Sequence, residues 1–586
     1  MERVRSMRPD VMRVQHLDTI DAVYDLILDM NALIDLLSGG PGGYSPARRV
    51  AARLYQMVHM GGTRTAVCEK NYFDEDHMRC HQRRYARSIR QPQALCKRLH
   101  FFGVAKEDFI SNWSSYLTNG GLSPKDATNQ LGYMGFVVIR DGLEQPLGRT
   151  VLSDKLVERA YKAHYRNKDI KIDLPSRIPC DVHLSGVKFS FEGTAQMPAD
   201  IETGVCASAA CWVVMRSLHG KRLARWYSLS EITDIANKRL TTGHVMPSGG
   251  LNAWQICNLF REAGLDSFFI PVDRLRKDAP EEDVKLHKAL LKAKMHCLIE
   301  GGLPVIVMTE TADKPEVPMS TEWTPQAHAV TLIGHTLEHK GDIEQLRIRE
   351  ATEGEKRFCS VSSRTRHFIL HDSLIGPFEL AEVTHYSEEE AEHVSLGLAI
   401  EEPFKPGGAE EATAKRYVIR AFIAPCPEEV CIHAWDANLK AVSIMNEFWR
   451  GSWGGGEAVP DPGEVVFRTI LMTGTEFKEY LWDEETQAPK ALIAKAADIP
   501  LPKWIYVTQM RDRNSESGWV DGQFVIDATT TSYMSSVLWI QYKGLFIGPL
   551  MNLANYSREA IERTRTTLPS CNNARCRAIP AKSGSS

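Results

Sequence analysis

The stretch Gly204-Val205-Cys206-Ala207-Ser208-Ala209-Ala210-Cys211-Trp212 places a thiol between a glycine turn and the first turn of an apolar helix. Unpaired backbone N–H groups and the positive end of the helix dipole favour thiolate there, below the usual thiol pKa of ~8.5. Nucleophilic thiol chemistry also needs a base that shuttles the proton, an orienter for that base, and donors aimed at the developing oxyanion. His328, in Ala327-His328-Ala329-Val330, has small neighbours that leave room for a thiol, and Asp372 follows the apolar run Phe368 to Leu370. The Cys206 backbone N–H supplies one oxyanion donor. Taken singly, Cys206 reads as a small core residue, His328 as a satisfied core histidine and Asp372 as a turn residue. Their order and company favour the catalytic reading.

Cys211 competes as nucleophile because it is followed by Trp212. Five residues at about 100° each turn it about 140° from Cys206, more than a turn inside the helix, where no N–H group is free. Cys206 is therefore preferred. His335, His339, His367 and His371 are read as surface or packing residues.

These residues resemble the papain-like cysteine peptidases, and more closely their branch of double-glycine leader peptidases. Cys206-Ala207-Ser208-Ala209-Ala210 is similar to that branch's pattern of cysteine, small residue, any residue, alanine, small residue. Gly220-Lys221, Tyr227-Ser228-Leu229-Ser230-Glu231-Ile232, Gly249-Gly250-Leu251 through Glu262-Ala263-Gly264-Leu265, Leu303-Pro304-Val305 and His371-Asp372-Ser373-Leu374-Ile375-Gly376-Pro377 resemble its later elements, so the likeness spans residues 190 to 390. It implies an α+β papain-like cysteine peptidase domain, a helical half plus an antiparallel sheet half, with a Cys206-His328-Asp372 triad. The family's oxyanion glutamine lies about six residues before its cysteine; Asp200 stands there, and Gln196 lies four residues further upstream. A bulged path at Pro198 would return Gln196 to that role. The transmembrane and nucleotide-binding parts that accompany leader peptidases are not seen, so leader cleavage coupled to export is not expected.

The implied reaction is cleavage of a peptide or isopeptide bond through an acyl-thioester. Transfer to an amine and deamidation use the same parts, and a papain-like binding module without activity is the remaining alternative. The partner expected is a peptide or protein substrate, with further protein partners through the flanking regions. No cofactor is expected.

At 586 residues the chain exceeds what one core supports, and three or four domains are expected. Helical and strand signals divide it into an α/β N-terminal region (1–180), the peptidase-like region (181–400), a C-terminal α/β region (401–565) and a disordered tail (566–586). The linker Lys405-Pro406-Gly407-Gly408-Ala409-Glu410-Glu411 sets the second boundary. Residues 19–37 predict an amphipathic helix ended by the glycines from Gly39, and another helix follows from Pro46. Strands are expected at 134–139, 187–191, 267–272, 303–308 and 327–333, the last two as neighbours, and in the third region at 417–423, 465–472, 504–507, 522–526 and 536–542.

A net charge of -4 gives no field that would gather nucleic acid, and Arg79, Arg83, Arg84, Arg87 and Arg90 suit a solvated helix face with Tyr85 and Ile89 inward. Neither a secretory signal nor a membrane span is visible, so the cytoplasm of a bacterial-type cell is expected. The thirteen cysteines fall without close regular pairs, which favours reduced thiols. Cys68, His77, Cys80, His81 and Cys96 crowd possible zinc ligands, but their spacing is irregular; Cys426/Cys431 and Cys571/Cys576 are no better, and no metal site is assigned.

Overall fold

The computed structural model describes residues 27–28, 46–87, 92–119, 123–165, 171–200, 205–238, 245, 250–311, 327–337, 358–360, 362, 365–387, 393–401, 415–449, 465–483, 488, 490–512, 521–531, 536–542, 545–548 and 565–567. The chain is α+β: twelve helices and three sheets among these residues, with antiparallel pairing at every strand contact except one.

The first sheet runs β1 (Ile27–Leu28), β2 (Thr65–Tyr72), β3 (Cys96–Phe102), β4 (Tyr133–Ile139), β5 (Leu147–Ser153), β8 (Val187–Gln196), β7 (Ile178–Leu184). With it go helices α1 (Pro46–Met60), α2 (Glu75–Arg83), α3 (Lys106–Asn119), α4 (Pro124–Leu131) and α5 (Asp154–Tyr165). All seven residues of β4 are buried, as a continuous apolar run in a central strand requires.

The second sheet contains β6 (Lys171–Asp173), β9 (Leu265–Pro271), β10 (Leu275–Arg276), β11 (Val305–Thr311), β12 (Ala327–Leu337), β14 (Phe368–Asp372), β15 (Gly376–Ser387), β16 (His393–Glu401) and β17 (Lys415–Pro427). Its order β16-β15-β14-β12-β11-β17 closes on itself, because β17 also pairs with β16. Helices α6 (Cys206–Gly220), α7 (Leu229–Asn237), α8 (Ala253–Glu262) and α9 (Glu281–Glu300) belong to this part. Capping boxes at Ser228/Glu231 and Asn252/Gln255 start α7 and α8, each satisfying two backbone N–H groups.

The third sheet runs β13 (Phe358–Ser360), β18 (Val465–Thr473), β19 (Trp504–Asp512), β20 (Gly522–Asp527), β21 (Val537–Tyr542), β22 (Leu545–Ile547), β23 (Arg565–Thr567), accompanied by α10 (Ala434–Trp449), α11 (Gly474–Trp482) and α12 (Lys490–Asp498). Among the described residues no helix is long and apolar enough to cross a membrane.

Several sequence expectations shift. Of the segment 19–37 read as a helix, the described pair Ile27–Leu28 is a strand on β2. The boundary at 180 falls inside β7, and both β7 and β8 complete the first sheet. Alternation in a hairpin marks its two faces but not the sheet it joins. Likewise β17, beyond the boundary at 400, lies between β11 and β9, and β13, inside the peptidase-like range, pairs with β18. Thr566 and Thr567 of the expected tail pair with β22; residues 568–586 lie outside the described residues.

The largest core joins the first sheet to α6, α7 and α8, from Val50 through Trp212 to Ile423. Arg53 and Glu379 form a buried ion pair at 2.8 Å, and the Tyr161 hydroxyl donates to the Phe378 carbonyl. The N-terminal region is thus packed against the segment that follows Asp372. Helix α6 ends against the same wall: a Cβ on Gly220 would lie 2.4 Å from Ile178 Cγ2. Gly220 thus serves close packing, and the left-handed residue past the end of α6 is Arg222, at φ +60°.

Candidate active site

Cys206 is the first residue of α6, and its N-cap Val205 offers no side-chain acceptor, so the first-turn N–H groups remain for other partners. The apolar body of α6 anchors it. Trp212 is fully buried and its Nε1 donates to Asp76 Oδ1 at 2.7 Å, tying the helix to α2. Full burial of a large apolar side chain contributes about 1.5–3 kcal/mol. Cys211 is fully buried and its thiol is pushed far up by that burial, so it is no nucleophile.

His328, near the start of β12, is 5% exposed. Its Nε2 faces Asp372 Oδ1 at 3.1 Å, leaving Nδ1 for the thiol. Asp372 ends β14 and is fully buried; Oδ1 also accepts from the backbone N–H groups of Leu374 (2.8 Å) and Ile375 (3.2 Å), and Oδ2 from the Tyr417 hydroxyl (2.7 Å). A buried carboxylate with this many donors is held ionised and fixed in place.

The electrostatics follow from these contacts. Burial alone would raise the Cys206 thiol, but the hydrogen bond and charge of His328, with backbone N–H groups of Ala329 and Ala207, outweigh it and bring the thiol below its ordinary value. Burial would lower His328; the charge and hydrogen bond of Asp372, then Cys206, raise it to about 10. Both shifts favour thiolate and imidazolium over the neutral pair.

All three residues named from the sequence as the triad therefore meet. Gln196 is the last residue of β8, which packs on α6; it is 1% exposed and its Nε2 has no hydrogen-bond partner. The segment after it is bonded to the site, since Ala199 N donates to the Ser373 carbonyl at 3.3 Å. Asp200, which stands at the family's glutamine place, is occupied: it accepts from the Tyr85 hydroxyl and lies 3.6 Å from Arg140.

Tyr417 was missed. Besides bonding Asp372 it packs at a tilt against His328, ring centroids 5.2 Å apart. It follows the linker that marked a domain boundary, and nothing in Arg416-Tyr417-Val418 points back across it.

The other residues singled out from the sequence take the following places. His335, His367 and His371 are all buried, and His371 Nδ1 accepts from Phe378 N at 3.2 Å; His339 lies outside the described residues. Trp254, on α8, is 78% exposed. In the basic stretch, Arg83 pairs with Asp234 at 2.8 Å and Arg79 with Glu75 and Glu231, while Tyr85 is buried; Ile89 and Arg90 lie outside the described residues. His77 and His81 bond the Gln93 and Pro92 carbonyls rather than sharing a metal-ligand cluster with the nearby cysteines. No protein-family model and no curated protein matches the sequence.

Proposed function

We propose that the chain is a papain-like cysteine peptidase, nearest the double-glycine leader peptidase branch, cleaving a peptide or isopeptide bond. The observation that carries this reading is the bonded series Cys206, His328, Asp372, with the thiol at a helix start and its pKa lowered. The Cys206 thiolate attacks the carbonyl carbon, the Cys206 N–H and Gln196 Nε2 receive the developing oxyanion, and the His328 imidazolium gives its proton to the leaving amine. Neutral His328 then takes a proton from water, hydroxide attacks the thioester, and the thiolate departs. Asp372 keeps the imidazole oriented throughout, without itself being protonated.

The buried, unpartnered Gln196 amide fits a site in which a bound ligand supplies the acceptor. The test is labelling with a small thiol alkylator at neutral pH, followed by peptide mapping. Cys206 should react far faster than the other twelve cysteines; uniform reactivity would overturn the reading. With a peptide substrate in hand, Gln196→Ala should lower kcat about 10²- to 10³-fold, as loss of an oxyanion donor does. Product analysis with and without an added amine separates hydrolysis from transfer.

A further inference from the structure

We propose that His296, Glu300 and His335 form a binding site for one zinc ion, which fastens α9 to β12. His296 and Glu300 are one helical turn apart at the end of α9, and His335 is on β12; none is more than 3% exposed. Their candidate ligand atoms all lie within 4.8 Å of one another. Glu300 Oε1 is 3.4 Å from His296 Nε2 and 2.7 Å from His335 Nε2. Zinc bonds of about 2.0–2.1 Å in a tetrahedron separate ligand atoms by about 3.3 Å. The first contact has that spacing already, and the second must open by several tenths of an ångström as the metal replaces the shared proton.

The second observation is that His296 Nε2, fully enclosed and aimed at this carboxylate, has no hydrogen-bond partner. A buried imidazole nitrogen in that position is explained by a ligand. Around the three residues stands the outer layer such a site requires. Arg468 of β18 donates through Nε to Glu300 Oε2 at 2.6 Å, leaving Oε1 for the metal, and its NH2 lies 3.1 Å from Asp173 of β6. Two carboxylates and one guanidinium leave a net charge of −1 beside the two imidazoles, which favours a cation. Two imidazoles and one carboxylate are a donor set that suits zinc, with a fourth position for water.

The full chain carrying Cys206→Ala, which removes the thiol bonded to His328, should be purified from zinc-supplemented cells and its metal content measured. About one zinc per chain is expected, as for one structural ion, with near-complete loss in His335→Gln. Because that variant could fail to fold, cobalt(II) is also added to the metal-stripped Cys206→Ala chain. Visible d–d bands without a thiolate charge-transfer band, and a raised Tm, support a nitrogen and oxygen site. Metal at background level with no cobalt spectrum, or zinc retained by folded His335→Gln, overturns the proposal, and neither outcome bears on Cys206.

Discussion

Seven residues apart on β12, two buried histidines face a carboxylate, and their surroundings make opposite use of the same pair. At His328 the carboxylate of Asp372 also accepts from two backbone N–H groups and the Tyr417 hydroxyl. Its charge is left for the imidazole, which is held protonated and in turn lowers Cys206. At His335 the carboxylate of Glu300 already carries the Arg468 cation, and the adjoining His296 is kept neutral by burial and by its cationic and imidazole neighbours. Asp372 raises His328 most, and the two pairs differ in the third group beside them: the Cys206 thiol at His328 and the Arg468 cation at Glu300.

Substituting that third group breaks the comparison in a defined order. Cys206→Ala should abolish alkylator labelling at that position and lower peptide cleavage on the order of 10⁴-fold or more, because triad members act as a unit; the measurement is kcat/KM against a good peptide. His328→Ala should cost on the order of 10²- to 10⁴-fold, the range of general acid–base catalysis. It should also move the acid limb of the labelling profile up into the ordinary thiol range. In the parent, cleavage needs thiolate and imidazolium together, so the rate rises through the lowered thiol pKa and falls as His328 loses its proton near 10.

Arg468→Leu attacks the other pair. It leaves Glu300 buried without its cation and should destabilise the fold by about 3–5 kcal/mol, read as a shift in the urea midpoint, with no preference for the Cys206 labelling rate over the folded fraction. The smallest effect is expected of Tyr417→Phe. Loss of one hydrogen bond to an ionised group, about 1.5 kcal/mol, lowers kcat roughly tenfold with KM nearly unchanged. The basic limb shifts in the direction set by a less securely fixed Asp372.

The sequence made the site more legible than the architecture. Cys206, His328 and Asp372 could be named because each sits in a local pattern its chemistry demands: a helix start, a strand of small neighbours, a strand end with a turn. Tyr417 had no such pattern, since a tyrosine in an apolar strand is equally a core residue until its neighbour is known. Helices with capping boxes and buried strands such as β4 were legible for the same local reason. Sheet membership was not, because β7, β8, β13 and β17 carry periodicity without any signal of partner. Asp200 shows the limit within the site: its tie to Tyr85, 115 residues away, has no local signature.

The place of β7 and β8 in the first sheet has a practical consequence for anyone trimming this chain to its reactive half. A cut at residue 180 would sever β7 within its third residue and strip β8 of the rest of its sheet, while α6 would lose the wall that Ile178 presents to Gly220. Ragged strand margins of that kind invite self-association. A workable expression fragment must therefore retain the first sheet as well as the stretch that carries Cys206 and His328.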